Sequence, residues 1–341
     1  MPCIAETQLP ATSQEIQYMG RVARSENSVQ LAYPGIQLTL RFTGQSVTLN
    51  GEVLGEDSYF NAYIDGVRLP RVDLSSGEFH YTFKHYLDPA QPHLLRLVRR
   101  DETWHGIVKL DSVTVADDGQ LMEPPALPER RMICVGDSIT CGALADLIPP
   151  ETLDHSVWNA ERSYGWHLAK QFDAQLNLVS YGGRGLIRDW QGSHEPSTGP
   201  QFFERTLPDD PSSQWDHSGY QPDLVTICLG TNDFNQGIPE RNEFVGAYVR
   251  FVERIHQVHP QAKVLLISGP WFGDGDPKKA ALNGYIDEVV AHFEDAGEPF
   301  VNRHFFSVTY PGTELDSHPV AMQHKAMAAD IARTIHTWLG W

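Results

Sequence analysis

Apolar and polar residues alternate with period two in the first third of the chain. The clearest case is Ile36-Gln-Leu38-Thr-Leu40-Arg-Phe42, in which every second side chain is apolar. Successive side chains of a β-strand point to opposite faces, so this spacing predicts a strand with one buried face. Similar segments predict further strands at 46–49, 59–64, 80–83, 94–98 and 108–115. Several short strands at close spacing are typical of a β-sandwich.

A proline-rich segment ends this pattern. Met122-Glu-Pro-Pro-Ala-Leu-Pro-Glu-Arg130 contains three prolines, which fix the backbone angle and lack an amide donor, so we interpret it as a linker. A chain of 341 residues also exceeds what one hydrophobic core usually organises. We therefore predict two domains, a β-sandwich over 1–125 and a second domain over 126–341.

Beyond the linker, short apolar runs alternate with segments of helical period. The runs 132–135, 176–180, 224–229 and 264–268 predict strands. Leu224-Val-Thr-Ile-Cys-Leu229 is nearly continuous in apolar character, which favours a strand covered on both faces, as in a parallel sheet. The predicted class of the second domain is therefore α/β, and ligands of such sheets bind at the carboxyl ends of the strands.

Three helices are predicted between and after these strands. In Arg241–His259, Val245, Tyr248, Val249, Val252 and Ile255 form an apolar stripe. A second helix begins at Asp276-Pro277 and ends at Gly297, with buried positions expected at Leu282, Ile286, Val289 and Phe293. A third follows His318-Pro319 and extends to about Leu339.

The charge of the chain restricts its partners. Its 44 acidic and 26 basic residues give a net charge of -18, which disfavours nucleic acid and anionic membranes and suits a neutral ligand such as a sugar. No run of 18 apolar residues predicts a membrane span, and the first residues lack the pattern of a secretory signal. A cytoplasmic location and a secreted form without its leader both stay open, and no feature indicates an obligate protein partner.

The four cysteines do not predict a metal site. They are Cys3, Cys134, Cys141 and Cys228, and no Cys-x-x-Cys or histidine spacing accompanies them. Cys134 and Cys228 lie within apolar strands, so we expect buried thiols.

Polar constellations follow three of the predicted strands. They are Gly136-Asp137-Ser138, Gly182-Gly183-Arg184 and Gly230-Thr231-Asn232-Asp233, and a fourth, Asp316-Ser317-His318, precedes the last helix. Ser138 follows a sharp turn after a strand, where a hydroxyl is accessible. Serine needs a base within hydrogen-bond reach, and His318 is the best candidate among fifteen histidines.

The remaining groups suit ester hydrolysis. Asp316 is a candidate to orient the ring of His318, or alternatively to cap the last helix. Asn232 can donate from its side chain and Gly183 from an unobstructed backbone amide, so together they are candidates for an oxyanion hole. Taken singly, each of these residues is also a common turn or cap residue. Asp233 is expected to stabilise its own loop.

The four blocks, in this order, resemble the SGNH branch of the GDSL hydrolases, in which Ser138, Gly183, Asn232 and His318 occupy the positions that name the branch. The resemblance extends to carbohydrate esterase family 2 over nearly the whole chain, including Tyr18-Met-Gly-Arg21 and Phe203-Glu-Arg-Thr-Leu-Pro208. It implies a three-layer, flavodoxin-like SGNH domain preceded by a jelly-roll sandwich. It also implies removal of acetyl groups from sugar hydroxyls, often at the 6-position of hexose units, without metal or organic cofactor.

The chain departs from the family pattern near its last block. The spacing Asp316-Ser317-His318 differs from the Asp-x-x-His of the wider superfamily, so either Asp316 or a backbone carbonyl is expected to orient the ring. Ser317 stands where family members often carry an aromatic residue. Trp271 is the candidate for the missing sugar platform, with Trp158 and Trp190 as alternatives.

Two other functions stay open. A GDSL-type thioesterase or lipase would act on longer acyl chains. A protein that binds carbohydrate without hydrolysing it would retain the site only for affinity, although the intact Ser138, Asn232 and His318 argue against this function. The β-sandwich is either a binding module or a wall of the active-site cleft.

Overall fold

The computed structural model describes residues 7–84, 87–115, 119–149 and 153–341, which form two compact units, Met1–Leu127 and Pro128–Trp341. Cys3 lies outside the described residues. Among the described helices, none combines the length and the apolar character that crossing a bilayer requires.

The first unit consists of two antiparallel sheets. Its strands are β1 (Thr7–Pro10), β2 (Ile16–Met19), β3 (Val22–Arg24), β4 (Val29–Leu31), β5 (Gln37–Phe42), β6 (Ser46–Gly55), β7 (Ser58–Ile64), β8 (Val67–Arg68), β9 (Val72–Leu74), β10 (Gly77–Lys84), β11 (His93–Arg99), β12 (Gly106–Val115) and β13 (Leu121–Met122). One sheet has the order β10-β6-β12-β4-β3, with β1 beside β12. The other has the order β13-β5-β11-β7-β8, with β2 beside β5 and β9 beside β7.

The inner faces of the two sheets form the core of this unit. Leu38 and Leu97 of one sheet and Val108 and Leu110 of the other are buried around the same small internal gap. Apolar side chains at every second position therefore face the opposite sheet, as the alternation predicted. The predicted class of this region, a β-sandwich, is confirmed.

The second unit is built on a parallel five-stranded sheet. Its strands are β14 (Arg130–Gly136), β15 (Ala174–Ser180), β16 (Leu224–Cys228), β17 (Lys263–Ile267) and β18 (Val301–His304), and its helices are α1 (Ser138–Cys141), α2 (Tyr164–Gln171), α3 (Gly199–Phe203), α4 (Arg241–Val258), α5 (Pro277–Asp295) and α6 (Ala321–Leu339). The order β15-β14-β16-β17-β18 is that of flavodoxin-like folds. Helix α2 packs against α6, and α4 packs against α5, which gives two helical layers.

The predicted helices and strands of this unit are present. Helix α5 buries all four expected side chains, and Asp276 caps it by accepting a hydrogen bond from the Lys278 amide at 2.8 Å. Cys134 and Cys228 are buried, as expected.

Two expectations were wrong. Met122 pairs with Arg41 at the edge of a sheet and is not part of the linker. The buried stripe of α4 passes through Phe244 and Phe251, whereas Val245 and Val249 are only half-buried. Phe251 packs against Phe203, and Phe244 packs against Phe234 and Tyr285, so the buried stripe is rotated from the one that the aliphatic residues indicated.

Candidate active site

The predicted site residues meet at the carboxyl ends of the central strands. Ser138 follows β14, Gly183 lies just after β15, and Asn232 lies just after β16. The chain crosses to one side of β14 to form β15 and to the other side to form β16, so the strand order reverses between β14 and β16. Such a reversal leaves a crevice at the strand ends, which is the usual ligand site of open α/β sheets.

Ser138 is the first residue of the short helix α1. The side chain of Asp137 caps this helix by accepting a hydrogen bond from the Ile139 amide at 3.0 Å. Ser138 is 7% exposed, and its Oγ lies 2.9 Å from Nε2 of His318. The hydroxyl and the imidazole are thus within hydrogen-bond reach although 180 positions separate them in the sequence.

Asp316 reaches the other nitrogen of the same ring. Its Oδ1 lies 2.6 Å from Nδ1 of His318 and also accepts the backbone N–H of His318 at 2.8 Å. The short spacing therefore forms a tight turn in which the carboxylate contacts the ring. The hydrogen bond from His318 lowers the pKa of Asp316, with burial opposing it. The carboxylate is therefore the group that contacts Nδ1, one of the two possibilities that the sequence left open.

The loop that carries these two residues is fixed by the first turn of α6. Oε1 of Gln323 accepts the amides of Gly312 at 3.1 Å and Val320 at 3.0 Å, and its Nε2 donates to the Gly312 carbonyl at 3.3 Å. Within the loop, the Thr313 amide donates to the Asp316 carbonyl at 2.8 Å. Gln323 thus connects the histidine loop to a rigid element, and the sequence analysis missed it.

Asn232 lies against both the nucleophile turn and the loop after β15. Its Nδ2 donates to the Arg184 carbonyl at 2.9 Å and to Asp137 Oδ2 at 3.2 Å. No role for Asp137 is evident from the sequence alone. Its two carboxylate oxygens link the amide side chain of Asn232 to the helix that begins at Ser138.

Gly183 adopts a conformation that favours glycine. Its φ is +74°, and a β-carbon there would lie 2.9 Å from Cδ1 of Trp190. Among the described residues, the backbone amides of Gly183 and Ser138 have no hydrogen-bond acceptor. Both amides are therefore available to a third group at this edge of the sheet.

Aromatic side chains surround the serine and the histidine. The ring centroid of Trp271 lies 5.4 Å from that of His318, and Trp271 is half-buried. Trp190, 50% exposed, lies over Gly183 and donates its amide to the Gly183 carbonyl at 2.9 Å. Trp158 instead packs on a buried cluster that includes Leu144. Two of the three candidate platforms are therefore at the site.

Asp233 has a wider structural role than the sequence indicated. Its carboxylate is buried and accepts the backbone amides of Leu186, Ile187 and Arg188, at 2.8, 2.8 and 3.2 Å. The side chain of Arg188 donates in turn to the Asp233 carbonyl at 2.7 Å. Asp233 therefore stabilises the loop that follows Gly183 rather than only its own loop.

Family models match both units of the chain. Residues 134–336 match the model of the GDSL-like lipase/acylhydrolase family, and residues 18–125 match the N-terminal domain of carbohydrate esterase 2.

Relatives that match along nearly the whole length carry corresponding names. The chain is 35% identical over 337 residues to an acetylxylan esterase/glucomannan deacetylase of Cellvibrio japonicus, covering 98% of this chain and 91% of that protein. The structure of a family two carbohydrate esterase from Cellvibrio japonicus superimposes with a TM-score of 0.92 at 35% identity, covering 99% of each chain. A family two carbohydrate esterase from Clostridium thermocellum, in complex with cellohexaose, gives 0.88 at 27% identity, covering 96% of this chain and 99% of that one.

Proposed function

Since this chain belongs to family 2 of the carbohydrate esterases, we propose that it removes O-acetyl groups from poly- or oligosaccharides through an acetyl-serine intermediate on Ser138. The observation that carries this mechanism is the continuous contact from Ser138 Oγ to His318 Nε2, at 2.9 Å, and from His318 Nδ1 to Asp316, at 2.6 Å. Serine hydrolases in general have this arrangement of a nucleophile, a base and a group that orients the base.

Each half of the reaction uses the same ring. His318 Nε2 takes the proton of Ser138 as Oγ attacks the acetyl carbonyl, and the imidazolium then protonates the departing sugar hydroxyl. In the second half, His318 deprotonates a water that attacks the acetyl-serine, which releases acetate and restores the serine. Asp316 keeps Nδ1 protonated, so that Nε2 can accept, and stabilises the imidazolium.

We assign three hydrogen-bond donors to stabilise the negative charge of the tetrahedral intermediate. The backbone amides of Ser138 and Gly183 have no acceptor among the described residues, and Asn232 Nδ2 lies against the residue that precedes Ser138. Donors that are held in place before the reaction stabilise an oxyanion without reorganisation. Asn232 is held by the Arg184 carbonyl, and Gly183 by the Trp190 amide. The second N–H of Asn232 donates to Asp137 Oδ2 at 3.2 Å, and this longer hydrogen bond is the one that the oxyanion would replace.

The substrate assignment rests on the aromatic side chains and on the depth of the serine. Trp271 beside His318 and the exposed Trp190 offer flat rings for sugar faces. Because Ser138 is only 7% exposed, an ester on the exocyclic carbon of a hexose reaches it more readily than an ester on the ring. We therefore assign the primary 6-O-acetyl group as the preferred ester.

Acetate release from acetylated manno-, xylo- and gluco-oligosaccharides tests the proposed substrate. We expect acetate to be released from at least one of these glycans, and fastest where the 6-position is acetylated. With 4-nitrophenyl esters, we expect the rate of hydrolysis to fall from acetate to octanoate. A rate that rises with acyl length, with no release from any glycan, would favour a lipase or thioesterase and would contradict the proposal.

A further inference from the structure

A depression lies between β18 and the last turns of α6. Its volume is about 460 Å³ and it is open to solvent; its lining residues are Asn302, Asp330, Arg333, Thr334, Thr337 and Trp338. The five residues from α6 stand at positions i, i+3, i+4, i+7 and i+8, so they share one face of the helix. We call this feature the β18–α6 depression.

The depression is remote from the serine. Helix α6 begins three residues after His318, and 17 residues separate Ala321 from Trp338. At 1.5 Å per residue the far end of the helix is about 25 Å away along its axis. Strand β18 is the outermost described strand of its sheet, and its Asn302 lines the depression.

His304 adds a buried polar atom beneath the depression. It is 6% exposed, and its Nδ1 contacts Thr334 Oγ1 at 2.8 Å. Its Nε2 is buried and has no hydrogen-bond partner among the described residues, since Asp330 Oδ2 is 3.8 Å away. Burial lowers the pKa of His304, so the ring is neutral at neutral pH. A buried group of this kind is usually satisfied by a hydroxyl or a water.

The lining has the chemistry of a sugar site. Trp338 lines the depression, is half-buried and makes no aromatic or cation–π contact with another described residue. The charges of Asp330 and Arg333 cancel in an ion pair, while their outer atoms remain able to accept and donate. Asn302 and the two threonines supply further donors and acceptors. Such a neutral set suits hydroxyl groups, and the net charge of -18 disfavours an anionic polymer.

We propose that the β18–α6 depression is a second carbohydrate-binding site, which holds a sugar unit of the same neutral glycan chain whose acetyl esters are cleaved at Ser138. This proposal rests on the proposed function for the identity of the glycan. Trp338 packs against the face of the sugar, and Asn302, Asp330 and the threonines bind its hydroxyls. Attachment at a point remote from the serine raises the local concentration of esters on a long chain, but gives no advantage with a small soluble ester.

Binding is measured directly with the full chain carrying Ser138→Ala. Unacetylated gluco-, manno- and xylo-oligosaccharides are titrated while the indole N–H resonance of Trp338, assigned with Trp338→Phe, is followed by NMR. We expect this resonance to move with at least one oligosaccharide. We also expect retention on the corresponding insoluble polymer to fall about tenfold in Trp338→Ala, and to be largely restored in Trp338→Phe.

Activity provides the second readout. In an otherwise native chain, Trp338→Ala should lower kcat/KM on acetylated polymer about fivefold or more relative to kcat/KM on 4-nitrophenyl acetate. The change should come from a higher KM for the polymer. Lys325→Ala, which removes an exposed side chain of α6 outside the depression, is the matched control. An unmoved indole resonance, or a ratio and retention equal to those of the control, would overturn the proposal.

The two proposals fail in different ways. Normal acetate release with no response at Trp338 removes the second site and leaves the esterase function intact. A resonance that moves with an oligosaccharide, with no acetate released from any acetylated glycan, supports the second site and contradicts the esterase function.

Discussion

At the scale of residues, reactivity depends on contacts between side chains that are distant in sequence. The hydroxyl of Ser138 is a weak nucleophile at neutral pH, and in the proposed mechanism its contact with His318 Nε2 at 2.9 Å allows the proton to leave as the oxygen attacks. The ring in turn presents Nε2 as the acceptor only while Nδ1 stays protonated, and Asp316 favours that tautomer by accepting a hydrogen bond from the Nδ1–H group.

Replacing the carboxylate by an amide should therefore disable the base. Asp316→Asn keeps the size of the side chain but offers the ring a donor, which favours the tautomer with a proton on Nε2. We expect kcat/KM on 4-nitrophenyl acetate to fall at least about 10²-fold, with the melting temperature nearly unchanged. Glu314→Gln, at an exposed position of the same loop, is the control. Activity within twofold of native in both variants would show that Asp316 does not orient the ring.

Removing the Asn232 side chain should affect the transition state more than binding of the substrate. In Asn232→Ala we expect kcat to fall about 10²- to 10³-fold with little change in KM, because the oxyanion forms only after attack. Steady-state kinetics on 4-nitrophenyl acetate measures both constants. Asn242→Ala, an exposed substitution on α4, is the comparison. A rise in KM alone would mean that Asn232 binds the ester rather than the oxyanion.

Sequence alone identified residues whose chemistry is visible in their type and position after a strand. Ser138 and Asn232 were candidates for that reason and His318 because it precedes the last helix next to an acid, and the structure brings the three to one end of the sheet. Asp137 and Gln323 could not be found in this way, because their contacts with Asn232 and Gly312 depend on tertiary structure. A carboxylate at a cap and a glutamine in a first helical turn are common in any helix.

At the scale of elements, two consecutive residues connect the loops after β15 and β16. Asn232 donates to the Arg184 carbonyl, and Asp233 accepts three amides of the segment 186–188. The relative position of the Gly183 amide and the Asn232 side chain is therefore determined by hydrogen bonds between the loops. Asp233 acts as a positioning residue and does not contact the ester.

Asp233→Asn tests this connection, since an amide has one acceptor oxygen where the carboxylate has two. We expect kcat to fall about tenfold with a smaller change in KM, because the donors are displaced rather than removed. In an Asn232→Ala background, Asp233→Asn should lower kcat by a smaller factor, because the donor that it would displace is already absent. Full additivity in this double-mutant cycle would assign Asp233 a purely structural role. Asp210→Asn, in an exposed turn, serves as the control.

Element prediction failed where a strand lacks an apolar repeat. The predicted strand 46–49 is too short because Gly51 interrupts the apolar alternation in the sequence. In the structure β6 continues to Gly55, and Gly51 occupies a buried position where a β-carbon would lie 2.9 Å from the ring of Phe79. Strand β18, Val301-Asn-Arg-His304, was not expected at all, since an edge strand needs few apolar residues. Long apolar runs and capped helices were predicted because burial and capping leave a local pattern.

At the scale of the whole molecule, the catalytic unit also depends on a charged cluster outside the site. Glu204 accepts two hydrogen bonds from Arg254, both at 2.9 Å, and contacts His217 Nε2 at 3.2 Å. Burial raises the pKa of Glu204, but the hydrogen bonds and charges of His217 and Arg254 lower it to about 2. This cluster connects the end of α3 to α4.

The stability of the chain should reflect this ionised carboxylate. The folded-state pKa of Glu204 is below the ordinary value of 4.5, so its contribution is fully present above that pH and is lost as the pH falls toward about 2. Glu204→Gln should therefore lower the free energy of unfolding in urea near neutral pH, and the difference from native should narrow as the pH falls from about 4.5. A difference in the free energy of unfolding that does not change with pH would contradict the lowered pKa of Glu204. Glu253→Gln, at an exposed position of α4, should show no such trend.

Both family models and the relatives matched along nearly the whole length agree with the two-part architecture that the change of sequence period predicted. The identity of the glycan could not be derived in the same way, because Trp271 and Trp190, the proposed sugar platforms, look like ordinary core tryptophans in sequence. Their placement next to His318 and Gly183 is a property of the fold.

The most direct test of the account compares acetate release from an acetylated glycan by the native chain and by Ser138→Ala, at matched concentration and with equal melting temperatures. The proposed mechanism predicts that the variant loses at least about 10³-fold in kcat/KM, because the hydroxyl in contact with His318 is then absent. Acetate release at the native rate by a folded Ser138→Ala protein would contradict it.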